Sequence, residues 1–132
     1  MEPILVETLH DVGDARGASY SLNVKHLQYL GDVSDLHVAT ILPGQVRGNH
    51  KHVRGREILL IYHEDSCVLG WRDRDDLLLT RQLTGRGGVV VTVHPGTPHA
   101  IRNTGSLPLF LVGLTDLVYD AQSGETQTAS VL

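Results

Sequence analysis

A chain of 132 residues with 41% hydrophobic and 20% charged side chains can bury a real core without disulfide staples, and nothing in its composition is unusual for a globular protein. The net charge of −4 argues against nucleic acid or an anionic membrane surface as the main partner. A lone cysteine, Cys67, excludes an internal disulfide and fits a reducing, cytoplasmic setting.

Residues 1–18 are read as an N-terminal strand or arm, with no basic stretch and long apolar run of the kind a signal peptide carries. Short apolar runs then recur, each followed by turn residues. They predict strands over Ser19–Leu30, Leu36–Leu42, Glu57–Tyr62, Ser66–Trp71, Leu77–Leu83, Val89–Val93, His99–Arg102 and Leu107–Thr115. Pro43-Gly44, Gly85 to Gly88, Pro95-Gly96 and Asn103 to Ser106 punctuate them. The longest aliphatic or aromatic run, Ile58–Tyr62, is too short to span a bilayer. No long segment has helical periodicity, so the expected fold is all-β, one domain over 1–132 with its core barrel at about 19–118. The polar tail 119–132 is open between a final strand, an arm around a partner and a frayed end. Val89–Val93 and Ile58–Tyr62 are apolar on both faces, which predicts a second sheet or a second subunit over the outer face, and hence a homodimer.

Histidines carry the chemistry. His50 and His52 lie one residue apart, so on a strand they share a face with Cα atoms roughly 6.7 Å apart. Two imidazoles across that gap can both reach one ion at bond lengths of about 2.1 Å. A nearby carboxylate, Glu57, and a distant histidine, His99, would complete a four-ligand site. Nine of the eleven basic residues are Arg, whose forked guanidinium suits phosphate or carboxylate. His10, His26, His37 and His63 fall outside this pattern, and surface or structural roles are expected for them.

Gly44-x5-His50-x-His52-x4-Glu57 resembles the first motif of the cupin superfamily, with Glu64 where a closing glycine is usual. Gly88-x5-His94-Pro95-Gly96-x2-His99-x3-Asn103 resembles the second, with His94 in place of a proline. The resemblance implies a double-stranded β-helix (jelly-roll) barrel with a metal held by His50, His52, Glu57 and His99. Such an N3O set suits a divalent transition metal (Zn, Mn, Fe or Ni among them) and does not choose one. Asp14-Ala-Arg16-Gly17, Pro43-Gly44 with Arg47 to His52, and Leu114 to Asp120 also resemble the small polysaccharide-biosynthesis cupins. These include dTDP-sugar 3,4-ketoisomerases and the C-terminal cupin domain of capsular nucleotide-sugar enzymes. In the ketoisomerases the paired histidines shuttle a proton without metal; Glu57 departs from that pattern and pulls the chain toward metal-binding cupins.

The function expected first is an isomerase or epimerase of a sugar or nucleotide-sugar-like molecule. His50 or His52 would be the base in the absence of metal, and His94 if metal occupies the motif histidines. Arg47, Arg54 or Arg102 would grip a diphosphate, and Tyr62 would offer a phenol to the ligand. Two alternatives stand beside it: a metal-dependent oxygenase of a small organic substrate, and a non-enzymatic module that binds or senses a small ligand.

Overall fold

The computed structural model describes residues 2–132. Ten strands and one short helix follow in the order β1 (Ile4–Thr8), α1 (Val24–Leu30), β2 (Asp35–Ile41), β3 (Val46–His52), β4 (Glu57–His63), β5 (Cys67–Arg72), β6 (Leu78–Leu83), β7 (Gly87–Val93), β8 (His99–Asn103), β9 (Leu109–Thr115) and β10 (Thr126–Thr128). They form two five-stranded antiparallel sheets, β1-β7-β4-β9-β2 and β10-β3-β8-β5-β6. The two sheets face each other as a jelly roll, so the all-β expectation holds. Strands β1 and β10 belong to the sheets, which therefore extend beyond 19–118 at both ends.

The core fills the space between the sheets. Alternate residues of β4 and β7 (Leu59, Ile61, Val89, Val91) meet Leu69, Cys67 and Ile101 of the opposite sheet. Each such side chain contributes about 1.5–3 kcal/mol when buried. Cys67 is completely buried, and desolvation pushes its thiol up to about 11, which makes it a packed thiol and a poor nucleophile. Among the described residues no helix is long and apolar enough to cross a membrane.

The predicted strand at Ser19–Leu30 is instead a capped helix preceded by coil. The Asn23 side chain accepts from the Lys25 amide at 3.0 Å, and Gly31, at φ 73°, donates its amide to the Leu27 carbonyl at 3.1 Å. Leu30 of this helix, with Leu9, Leu22 and Tyr29, packs on Ile58, Val90 and Leu114. The outer face of the β4–β7 region is thus covered by the chain's own residues 9–30, where a second sheet or subunit was expected.

Strand β2 has its polarity inverted. Asp35, His37 and Ala39 face inward, while Leu36 and Val38 face outward and are 59% and 68% exposed. Inward polarity is tolerated because this part of the interior is a cavity and not packed core.

The tail is ordered. Thr126 to Thr128 pair with His52 to His50 of β3. Asn49 clamps the last residues: its Oδ1 accepts from the Val131 and Leu132 amides at 2.9 Å each, and its Nδ2 donates to the Leu132 carbonyl at 3.0 Å.

Candidate metal centre

The stretch Gly48-Asn49-His50-Lys51-His52 is strongly polar, yet it runs as a strand because β8 and β10 hold it on both sides. Its register shifts between Gly48 and His50, a bulge with Gly48 at φ 97° and Asn49 at φ 52°. A Cβ on Gly48 would stand 2.7 Å from the His99 carbonyl oxygen, so only glycine lets the two strands approach here. The bulge re-aims the following residues so that His50 and His52 both point between the sheets. His99 opens β8 opposite His50, and Glu57 opens β4 on the facing sheet.

One nitrogen from each of His50, His52 and His99 and one oxygen of Glu57 all lie within 4.8 Å of one another. The imidazole centroids are 5.0 Å apart for His50–His52 and for His50–His99, and 6.0 Å for His52–His99. Donor atoms about 2.1 Å from a common ion stand roughly 3–4 Å from one another, so the cluster needs little closure to share one.

The donor atoms carry the fit further. His99 Nδ1 lies 2.9 Å from the Thr97 carbonyl, which can only accept, so Nδ1 holds a proton there and Nε2 is left facing Glu57 Oε1 at 3.0 Å. His52 Nε2 lies 3.3 Å from Glu57 Oε2, and its Nδ1 is 3.3 Å from the Thr126 hydroxyl. These approaches are close but poorly aligned: Glu57 Oε1 and His52 Nε2 are buried without a hydrogen bond of good geometry. Three imidazoles and a carboxylate aimed at one point, and poorly aligned with one another, form a donor set that fits a cation between them.

The electrostatics agree. Burial alone would push the Glu57 carboxyl up, but contacts with His52 and His99 outweigh it and hold the group well below the usual carboxylate range, although Glu57 is only 3% exposed. Desolvation, with the neighbouring His99 and His52, pushes His50 down to about 4, so its ring is neutral and its lone pair free near pH 7. The contact with Glu57 raises His52 above an ordinary histidine, a proton that a metal ion would displace.

The centre opens into a cavity of about 690 Å³. Ala39, Val46, Leu59, Ile101 and Leu111 form its apolar depth, and Leu117 to Asp120 line its outer end. Asp35, His37, Arg47, Thr115 and Glu125 supply the remaining polarity.

The other expected site residues divide. Arg47 lines the cavity, with its Nε donating to the Thr40 carbonyl at 2.8 Å. Arg54 does not line it; its backbone amide donates to Glu125 at 2.8 Å and its guanidinium braces the same carboxylate. Arg102 alternates with the inward Ile101 and is exposed on the outer face of β8. Tyr62 points outward from β4, tilted against Tyr20 and hydrogen-bonded to Glu64. His94 sits in a small surface recess with Pro3 and Arg72, its edge against Tyr29 and its Nδ1 3.3 Å from the Pro3 carbonyl. It packs a turn and does not stand at the barrel mouth, because the side chains alternate beyond Val93 and the Pro95-Gly96 turn carries it outside. His37, expected to have a surface or structural role, is exposed and on the cavity wall. Alternation along Asp35–Ala39 points the other way, because it sends the apolar Leu36 and Val38 inward, so no signal in the sequence placed His37 there.

No protein-family model matches the sequence. No curated protein matches it either. Solved structures do match the fold. The dTDP sugar isomerase from Desulfovibrio desulfuricans G20 superposes with a TM-score of 0.78 at 15% identity, over 98% of this chain and 87% of that one. QdtA, a sugar 3,4-ketoisomerase from Thermoanaerobacterium thermosaccharolyticum in complex with TDP, gives 0.70 at 17% identity, over 96% and 88%. The capsular polysaccharide assembling protein CapF from Staphylococcus aureus gives 0.65 at 23% identity, over 76% of this chain and 27% of CapF. The register of the two sheets and these superpositions together establish that the chain has the cupin fold, the double-stranded β-helix that these sugar-isomerase structures also adopt.

Proposed function

We propose that the chain is a metal-dependent isomerase or epimerase that moves a proton next to the carbonyl of a sugar or sugar nucleotide. The observation that carries this reading is the convergence of His50, His52, Glu57 and His99 on one point at the wall of a 690 Å³ cavity. An ion held there would polarise a carbonyl and stabilise the negative charge that develops on its oxygen. The chain's own residues do the rest. The apolar depth excludes water, and Arg47 offers the one guanidinium on the lining to an anionic group of the ligand. The activities named for the similar folds, sugar isomerisation and ketoisomerisation, are of this class and support it.

The protein would work in the cytoplasm as a homodimer, with the outward Leu36, Val38 and Phe110 of β2 and β9 against a second copy. The test is proton exchange in deuterated water. A keto-sugar such as TDP-4-keto-6-deoxyglucose, which a similar structure holds, is incubated with metal-loaded protein and followed by NMR. Deuterium at the carbon beside the carbonyl, or a shifted carbonyl, is the expected result. A three-histidine, one-carboxylate set also suits oxygen activation by iron. Oxygen consumption by the iron-loaded protein with no proton exchange would transfer the proposal to that chemistry.

A further inference from the structure

The metal reading, on which this inference rests, leaves the reaction without a base. Histidines that bind an ion through their lone pairs cannot accept a proton with them. His94 lies outside the cavity. The wall opposite the three histidines nevertheless carries an imidazole.

His37 stands on β2 in register with Gly113 of β9, which is in turn in register with Leu59 of β4. Glu57 lies two residues from Leu59 on the same strand and the same face, so sheet spacings put the Cα atoms of His37 and Glu57 about 12 Å apart. Both side chains line the cavity. They rise side by side from the same face of one sheet, with lateral room for a small ligand between them.

Gly113 is what allows this. A Cβ at Gly113 would stand 2.2 Å from His37 Cε1 and 2.7 Å from Nε2. The backbone of Gly113 is not left-handed, so its glycine answers to the ring lying over it and not to a turn. The neighbouring strand thus provides a bare seat on which the His37 ring lies flat. The ring makes no side-chain hydrogen bond to any described residue, so both nitrogens are free toward the cavity. His37 is exposed as well as cavity-lining, so a ligand entering the cavity can reach its ring. Asp35 also lines the cavity from β2, but it shares its row with Thr115 and Glu57, beside the ion's own carboxylate.

We propose that His37 is the proton-transfer residue of the site, acting on a ligand held between it and the four-residue centre. Its free nitrogen takes the proton from a carbon that bears a hydroxyl and adjoins the carbonyl. The electron pair of that C–H bond forms the enediol double bond, and the carbonyl oxygen takes up the displaced pair. His37 then returns its proton to the former carbonyl carbon, while the hydroxyl proton passes from one oxygen to the other. The carbonyl has moved by one carbon with every atom and charge conserved.

The experiment is the deuterium-exchange assay with metal-loaded wild type and His37→Gln, using the same keto-sugar and dihydroxyacetone as the smallest ketone with adjacent hydroxyls. A positioned acid–base group contributes about 10²–10⁴-fold, and a loss of that size is expected in His37→Gln, with metal content unchanged and KM within about threefold. Gly113→Ala, which evicts the ring without altering it, is expected to lose exchange similarly. Exchange near the wild-type rate in either metal-loaded variant overturns the assignment. Wild type that binds metal but exchanges no proton also overturns it while leaving the metal centre standing; protein that neither binds metal nor exchanges takes the reading beneath it down as well.

Discussion

Replacing Glu57 with glutamine keeps the volume of a side chain that is 3% exposed and removes its charge. In the metal-free protein, Glu57 Oε1 and Oε2 lie 3.0 and 3.3 Å from His99 Nε2 and His52 Nε2. Truncating one partner of a buried charge pair costs about 2–5 kcal/mol, and the same carboxylate facing a divalent ion falls in that range. About 3 kcal/mol is roughly two decades in Kd, so Glu57→Gln is expected to weaken cobalt(II) binding about 100-fold. The visible absorption of cobalt(II) titrated into apo protein reads this directly. A pH arm checks the sign. Glu57 is depressed in the fold, so its stabilisation is present above the ordinary carboxylate value of about 4.3 and fades as pH falls through its folded value. His52 is raised, so its share is present below about 6.5 and is lost as pH rises through its folded value. Chemical denaturation of apo wild type should show both slopes, and the variant should be flatter in both windows. Cobalt affinity within about threefold of wild type, with both slopes retained, would refute the placement of Glu57 at the centre.

Gly48→Ala sets a methyl 2.7 Å from the His99 carbonyl oxygen at φ 97°; strained backbone of this kind costs about 1–3 kcal/mol, so a lower denaturation midpoint and weaker cobalt binding are expected together. Asn49→Ala removes three hydrogen bonds to Val131 and Leu132, at about 1 kcal/mol each. Hydrogen exchange should show β10 and the last residues opening while β4 and β7 stay protected. Val38→Lys places a charge at the centre of the outward face of β2, and sedimentation should show a wild-type dimer falling to monomer with the metal centre intact.

The centre was legible because period-two alternation and a carboxylate five residues beyond His52 constrain geometry strongly, and all four residues converge. The helix was not legible. Val24, Leu27 and Leu30 have helical spacing, but seven residues are too few to separate that from a short buried strand. Its signals were the Asn23 cap and Gly31. Strand β3 is absent from the apolar-run strands, although the His50–His52 argument places that pair on a strand: Arg47-Gly-Asn-His-Lys-His52 has almost no apolar character, and its strand form comes from neighbours on both sides. His37 escaped because β2 is inverted, and a rule that sends Leu36 and Val38 inward sends His37 to the surface. Arg54, Arg102, Tyr62 and His94 were chosen by side-chain chemistry near the motifs, and alternation then turned Tyr62 and Arg102 outward.

The most direct test of the account is the metal content, by mass spectrometry, of protein made without a histidine tag, beside a His50→Ala/His52→Ala variant of the same chain. About one equivalent of a transition metal in the wild type, absent from the variant, is the expected result. Wild-type protein that carries none, and takes up none when offered zinc, manganese, iron or nickel, would contradict the assignment of His50, His52, Glu57 and His99 as one metal centre.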